Sequence, residues 1–184
     1  MFLSSCQQND EVKHVKEDQE SLPQSALTLD KMKGVFLYED NLYTGSSEQL
    51  YSNGKKAIIT TYKNGKKHGV HKRWFDSGML SFETYYTKGK KDSLSKTWWS
   101  NGNLRSHYQF KNGIAHGEQL EWYKSGSKFK RRQLVNGQEE GLQQSWRENG
   151  KVYNNYEAKN GRIFGLKRAN LCFELDNEEV LYED

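Results

Sequence analysis

Proline and cysteine are almost absent from this sequence, and long apolar runs are missing. The one proline is Pro23, and the cysteines are Cys6 and Cys172, too few for a disulfide framework or a cysteine-based zinc site. No run of about 18 apolar residues occurs, so no membrane-spanning helix is predicted. With 34% hydrophobic and 13% aromatic residues, the composition favours a thin, aromatic-rich structure over a deep apolar core.

The common catalytic signatures are also missing: there is no P-loop, no dinucleotide-binding glycine motif, no nucleophile elbow and no zinc-protease motif. His68 and His116 share one repeat position, and we expect them to be exposed loop residues too far apart to share a metal. The carboxylates Asp92, Glu118, Glu139 and Glu140 are predicted at turns and edges, without a pocket to shift their pKa. We therefore expect no metal, no cofactor and no enzymatic activity.

A period of 24 residues organises most of the chain, since Gly65 and Gly89 head a series that continues at the same spacing. Such self-similarity is typical of repeat proteins. The other columns are the turn glycines Gly54, Gly78, Gly102, Gly126 and Gly150, a glycine series from Gly45 to Gly165 that is interrupted at Ser93, and the tryptophans Trp74, Trp98, Trp122 and Trp146.

Each repeat predicts a strand, a tight turn and a second strand. Asn-Gly or Ser-Gly at the turn glycines favours a two-residue type I′ turn, in which both central residues have positive φ. For the turn at Ser77-Gly78 this register pairs Phe75 with Leu80, Lys72 with Glu83 and Gly69 with Tyr86. Equivalent pairs are Gly45 with Tyr62 and Gly117 with Leu134, and each ring opposite a glycine is expected to cover its backbone.

The aromatic doublets predict a single-layer sheet whose repeats stack ring on ring, because adjacent strand residues point to opposite faces. The second members of the doublets are Phe75, Trp99 and Tyr123. Rings beside lysines could also suit single-stranded nucleic acid, but stacking between repeats is the favoured role.

The recurring N-G-x-x-x-G, followed by Trp-aromatic and a second N-G, resembles the MORN repeat, in the variant of bacterial YwqK-type proteins. The resemblance covers about residues 41–165. It implies an all-β, elongated, antiparallel meander of tandem 24-residue hairpins with a binding or scaffolding role and no catalysis. It also implies the antitoxin-like, membrane-contacting or self-associating roles attached to this family.

Charge is distributed unevenly along the chain. Residues 46–168 hold 24 basic and 10 acidic groups, whereas residues 1–45 hold 4 and 8, and residues 169–184 hold none and 6. Paired lysines at loops along one edge favour protection of that edge or contact with anionic headgroups or acidic protein. These lysines are Lys55, Lys56, Lys66, Lys67, Lys90 and Lys91.

The N-terminal sequence Leu3-Ser4-Ser5-Cys6 resembles a lipobox, in which the cysteine is lipidated, although no basic and apolar signal segment precedes it. Residues 1–33 then form this terminus and a disordered tether, 34–165 the repeat array, 166–175 a capping strand and 176–184 an acidic tail. Two functions follow: a lipid-anchored bacterial envelope protein that contacts a protein or a membrane surface, or a cytoplasmic antitoxin-like protein that masks a toxin.

Overall fold

The computed structural model describes residues 21–167. The predicted lipidation site Cys6, the core of the capping strand at Leu171–Leu175 and the acidic tail lie outside this range. The main strands are β5 (Gly45–Leu50), β6 (Lys56–Lys63), β7 (Lys66–Trp74), β8 (Leu80–Thr87), β9 (Lys90–Trp98), β10 (Leu104–Lys111), β11 (Ile114–Trp122), β12 (Lys128–Val135), β14 (Gly141–Trp146), β15 (Val152–Lys159) and β16 (Arg162–Lys167). Shorter elements are β1 (Leu22–Pro23), a 3-10 helix (Gln24–Ala26), β2 (Thr28–Asp30), β3 (Val35–Tyr38), β4 (Asn41–Leu42) and β13 (Gln138–Glu139).

The main strands form one sheet in chain order, and every neighbouring pair from β5 to β16 is antiparallel. This confirms the predicted all-β meander of tandem hairpins. Such a meander forms because each tight turn returns the chain beside the strand that it has just left. No helix in the described part of the chain is long and apolar enough to cross a membrane.

The predicted tether ends earlier than residue 33. β1 pairs in parallel with β5, and the Ser47 hydroxyl donates to Gln24 Oε1 at 2.6 Å. β2, β3 and β4 form a separate three-stranded sheet, which packs on the array through Phe36 and Tyr62, with ring centroids 4.9 Å apart. The tether boundary was wrong because the first strand of an open sheet has a free edge that needs a cover, and these elements supply it.

The turn glycines lie in three-residue loops, so the prediction of a type I′ turn there was wrong. In the second hairpin Gly78 N–H donates to Phe75 O and Phe75 N–H donates to Met79 O, both at 2.8 Å. Only the glycine has positive φ (93° at Gly78), while Ser77 does not. This is a type I turn followed by a left-handed glycine, which needs one such residue instead of two. We call the edge formed by these loops the loop edge.

The two-residue type I′ turns occur instead at the opposite edge, which we call the turn edge. Asn64 and Gly65 have φ of 50° and 73°, and Lys88 and Gly89 have φ of 50° and 83°. The same pair of positive values recurs at residues 112–113, 136–137 and 160–161. The N-G that opens each N-G-x-x-x-G motif is therefore the hairpin turn, and the rest of that motif lies in the following strand.

The predicted strand register holds along most of each hairpin. Lys72 pairs with Glu83 and Gly69 with Tyr86, as expected. Phe75 does not pair with Leu80, because a bulge next to the loop makes Trp74 the partner of Leu80. The glycine pairs at Gly45 and Gly117 are also confirmed.

The aromatic ring that was expected to cover the backbone of Gly69 is not its closest neighbour. A side chain placed there would first meet the Thr61 hydroxyl, at 2.8 Å, on the other neighbouring strand. The glycine is needed for its positive φ of 85° and for this close approach.

Candidate functional site

One face of the sheet carries a continuous row of polar side chains, most of which are buried. Because the period is 24 residues, this row consists of two interleaved columns, and each member lies beside the next on the adjacent strand. We call this face the inner face. The columns are Ser47, His71, Ser95, Gln119 and Gln143, and Thr60, Thr84, Tyr108, Arg132 and Tyr156. Small members such as Thr84, with 0% exposure, are covered by longer side chains of the same face.

His71 lies third in this row, between Thr60 and Thr84, and is 4% exposed. Its Nδ1 is 2.8 Å from the Thr60 hydroxyl, and Arg73 Nε donates to its Nε2 at 3.3 Å. Since arginine can only donate, Nε2 accepts and Nδ1 carries the proton of a neutral imidazole. Burial, followed by the charges of Lys67, Arg73 and Lys91, lowers the pKa of His71 to about 4.

Three cations surround His71 on the inner face: Lys67, Arg73 and Lys91. Their charges lie over aromatic rings, with Lys67 Nζ 5.4 Å from the Tyr86 centroid and Lys91 Nζ 5.6 Å from that of Phe82. Among the described residues none of the three forms a salt bridge. Burial lowers the pKa of Lys67, and the other two cations lower it further. We call these three residues the inner cation cluster.

The second half of the inner face has its charges neutralised. Glu121 accepts hydrogen bonds from the Tyr108 hydroxyl at 2.8 Å and from Arg132 at 3.3 Å. Glu139 accepts one from the Tyr156 hydroxyl at 2.9 Å. Burial, reinforced by these carboxylates, raises the pKa of both Tyr108 and Tyr156 to about 12.

A second basic surface lies at the turn edge. It is a shallow depression of about 430 Å³, and no carboxylate lines it. We call it the basic depression. Its basic residues are Lys33, Lys66, Lys67, Lys88 and Lys90, and Phe36 and Tyr86 supply its rings.

The predicted lysine pairs do not lie along one edge. Lys55 and Lys56 follow a three-residue loop and are at the loop edge, where Lys55 Nζ donates to Ser77 O at 2.8 Å. Lys66, Lys67, Lys90 and Lys91 follow two-residue turns and are at the turn edge. The prediction was wrong because successive turns of an antiparallel meander alternate between edges.

The tryptophan column links repeats through backbone hydrogen bonds, and no two tryptophans in the described chain form a ring pair. Tyr51 OH donates to Trp74 O at 2.7 Å, and Trp99 Nε1 donates to Trp122 O at 3.1 Å. Tyr123 OH donates likewise to the carbonyl oxygen of Trp146, at 2.9 Å. The predicted stacking aromatics Trp98 and Phe75 are half-buried.

His68 and His116 are half-buried strand residues, not the exposed loop residues that the sequence suggested. Nδ1 of His116 accepts the Asn136 N–H at 3.3 Å, and His68 accepts that of Lys88 at 3.5 Å. Asp92 in the same column accepts the Asn112 N–H at 3.4 Å. This column therefore joins each repeat to the next turn. No group of three or more potential metal ligands occurs within residues 21–167.

Sequence reasoning overlooked the polar row of the inner face. Its two columns have the same 24-residue period as the glycines, so polar residues recur at that spacing in the sequence, for example at Thr60 and Thr84. It was missed because burial was expected only for apolar residues, whereas an array of narrow strands buries its central row whatever the chemistry of that row.

The repeat type is shown by comparison with known families. Residues 43–64, 67–90 and 91–112 match the MORN repeat variant in three consecutive units. These three units are therefore similar to the MORN repeat variant. The matched units include the inner cation cluster and half of the residues that line the basic depression. MORN repeats generally mediate binding or membrane association.

The similarity of this chain to a solved structure is remote. A chain in the crystal structure of accessory secretory protein 1, 2 and 3 of Streptococcus pneumoniae is 16% identical, with a TM-score of 0.22. The match covers 73% of this chain but only 22% of that one. Among curated proteins, none is significantly similar in sequence.

Proposed function

We propose that this chain is a non-enzymatic binding module that is lipid-anchored through Cys6 in the bacterial envelope and rests its turn edge on an anionic membrane surface. The basic depression carries the proposal. It gathers five lysines without a lining carboxylate, and each lysine near an anionic surface contributes about 1 kcal/mol of attraction.

Anchoring and docking reinforce each other in this proposal. A single acyl chain gives only reversible membrane attachment, and a basic patch supplies the second signal needed for stable binding. Residues 7–21 could span about 50 Å when extended, enough to let the turn edge reach the lipid headgroups. The depression also includes the rings of Phe36 and Tyr86, which suit the interface between headgroups and water.

Two features support a binding role over catalysis. MORN-variant repeats are a binding module type. The most perturbed imidazole, His71, has both ring nitrogens engaged by Thr60 and Arg73, so it has no free nitrogen for proton transfer to a substrate.

Flotation with vesicles tests the docking surface. We expect the purified chain to bind vesicles that contain phosphatidylglycerol and not vesicles of phosphatidylcholine alone. The double variant Lys66→Gln/Lys90→Gln should lose about 2 kcal/mol, roughly a 30-fold weaker partition. Lys55→Gln/Lys56→Gln is the matched control, since it removes the same charge at the loop edge. Equal binding by both double variants would contradict docking by the turn edge.

The test also separates a membrane from a protein partner. Failure to float with anionic vesicles, combined with charge-dependent capture of an acidic protein by the same lysines, would replace the membrane with that protein. Nucleic acid is disfavoured as a partner. The Trp99 ring, for example, is already covered by Arg105, with Cζ 4.5 Å from its centroid, which limits base stacking.

The anchor has its own test. Metabolic labelling with a palmitate analogue should mark the wild-type chain expressed in bacteria from its complete gene, and Cys6→Ala should abolish the label. Label that persists in Cys6→Ala would show that lipidation at this cysteine is wrong. A chain that is unlabelled and recovered bound to a toxin would favour the antitoxin-like alternative.

A further inference from the structure

Within residues 21–167, no salt bridge joins the inner cation cluster to a carboxylate. Lys67, Arg73 and Lys91 face the same side of β7 and β9 as buried His71, and all three raise the local positive potential there. Glu48 pairs with Ile59, and Glu83 pairs with Lys72. Both glutamates are next to inner-face residues in their strands, so their carboxylates lie on the opposite face of the sheet. Asp92 is engaged at the turn edge by Asn112 N–H. Like charges held this close favour binding of an anion.

The equivalent positions in the second half of the array show which kind of anion can be bound on the inner face. Two repeats further along, Glu121 replaces Arg73 and Glu139 replaces Lys91, each 48 residues away. There the inner face holds carboxylates against hydroxyl and guanidinium donors. Carboxylate oxygens therefore fit this row when donors surround them, and the first half has the donors without the carboxylates.

The chain itself supplies a concentrated source of carboxylates. Residues 169–184 hold six acidic and no basic side chains. They are Glu174, Asp176, Glu178, Glu179, Glu183 and Asp184. The region of greatest negative charge density and the cluster of unpaired cations are thus complementary in sign.

The reach of this segment matches the path to the cluster. Lys167 ends β16 opposite Asn154, and the same row of the sheet continues from Asn154 through Glu121 to Arg73. Eight strand spacings of about 4.8 Å place Arg73 about 38 Å from Lys167. Extended chain at about 3.3 Å per residue covers that distance by Glu179, so Glu183 and Asp184 also reach.

We propose that the acidic C-terminal segment, residues 174–184, docks on the inner face of the same molecule, with its carboxylates bound by Lys67, Arg73 and Lys91. The contact is intramolecular and electrostatic.

Paramagnetic relaxation in the full-length chain tests the contact. A nitroxide is attached at Leu181→Cys in a Cys6→Ser/Cys172→Ser background, and amide signals of the ¹⁵N-labelled protein are compared with the label oxidised and reduced. We expect broadening at residues 67–73 and 84–91, and loss of that broadening in the variant Arg73→Gln/Lys91→Gln. The amide spectrum of the same sample reports whether the variant is folded.

Lys72→Gln/Lys96→Gln is the matched control. It removes the same charge from β7 and β9, but from the opposite face, where Lys72 pairs with Glu83 at 3.4 Å. The broadening should persist in this control. As a label-free check, Glu178→Gln/Glu179→Gln/Glu183→Gln/Asp184→Asn should shift the amide signals of residues 67–73 in the unlabelled protein.

Three results would overturn the proposal. One is the absence of broadening at the cluster, and another is equal broadening in the cluster variant and its control. The third is broadening that appears when ¹⁵N-labelled unmodified chain is mixed with unenriched nitroxide-labelled chain, because the occupant is then a second copy. Lys67 belongs to both surfaces, so vesicle binding is tested separately with Lys66→Gln/Lys90→Gln, which leaves Lys67, Arg73 and Lys91 unchanged.

Discussion

The first and second halves of the array have the same backbone but different charges on the inner face. β7 and β11 share their strand length, their glycine bulge and their pairing with the next strand. Yet the inner-face position that is Arg73 in the first half is Glu121 in the second, and Lys91 is replaced by Glu139. The first half accumulates positive charge around a neutral histidine, whereas the second forms closed hydrogen-bonded pairs.

This difference shows that the repeat backbone and the inner-face chemistry are specified separately. Glycines at the bulge and turn columns set the path of the chain, since only they adopt positive φ without strain. The side chains of the central row are then free to vary, provided that each polar group finds a partner. The same scaffold therefore holds, within residues 21–167, a cation cluster without a salt bridge in one half and hydrogen-bonded carboxylates in the other.

The largest expected effect comes from His71, because the second half has glutamine in place of this inner-face imidazole. The folded pKa of His71, about 4, lies below its unfolded value of 6.5. The unfolded chain therefore binds more protons, and stability falls as the pH is lowered from 6.5 toward 4. Lys67, Arg73 and Lys91 are the charged groups that face the ring. The loss is at most about 3 kcal/mol.

His71→Gln sharpens this comparison, because Gln119 and Gln143 occupy the same column in the second half. In both places the amide donates to a carbonyl on the preceding strand, at 2.9 Å from Gln119 to Gln109 O. Urea unfolding at pH 4 and pH 7 should show a smaller pH difference in the variant than in the wild type. An unchanged difference would mean that the histidine is not the acid-sensitive group.

Glu121→Arg places in the second half the positive charge that Arg73 has at the equivalent position of the first half. The new cation would lie beside Arg132 and leave the Tyr108 hydroxyl without its acceptor. We expect a loss of about 2 kcal/mol in the free energy of unfolding, measured by urea denaturation at pH 7. Glu118→Arg serves as the control, since the Glu118 carboxylate contacts Arg131 in a more exposed pair and should cost less.

The bulge column gives a comparison between repeats. Ser93 has φ of 70° where the neighbouring repeats have Gly69 and Gly117. Ser93→Gly should raise stability by about 1 kcal/mol, because a left-handed conformation costs roughly that much in a residue other than glycine. Gly69→Ser should lower it by at least as much. Thermal melts that move both variants in the same direction would contradict this assignment of strain.

Arg73→Glu imports the second-half charge into the first half and has the smallest expected effect. A carboxylate beside Lys67 and Lys91 relieves repulsion, but it loses the donor to His71 Nε2. We expect a net gain of about 0.5 kcal/mol, together with an increase in the pKa of His71 that can be followed by NMR titration. A pKa that stays the same or falls would show that charge at position 73 does not reach the ring.

Much of the fold could be predicted from spacing alone. The 24-residue columns specified hairpins, and the strand pairs at Lys72 and Gly69 followed from the length of the repeat. The type I′ turns were predicted at the wrong edge because Asn-Gly fits two turn geometries. It forms a two-residue type I′ turn at Asn64-Gly65, and it ends a three-residue loop at Asn53-Gly54. Only the hydrogen bonds that close each loop distinguish them.

The candidate site was less accessible to prediction. Lysine pairs were recognised, but their division between two edges depends on which turn each pair follows. The cluster at Lys67, Arg73 and Lys91 joins residues from strands that are not adjacent in the sheet. Its positive potential arises from the simultaneous register of three strands, which no single hairpin pattern contains.

By itself, the sequence determined the repeat length, the strands and the absence of a deep apolar core, because glycine and aromatic periodicity constrain the backbone locally. Only the tertiary structure decided that a polar row is buried, that His71 is held neutral and that three cations surround it. Burial and charge interactions depend on every neighbour at once, and those neighbours come from different repeats.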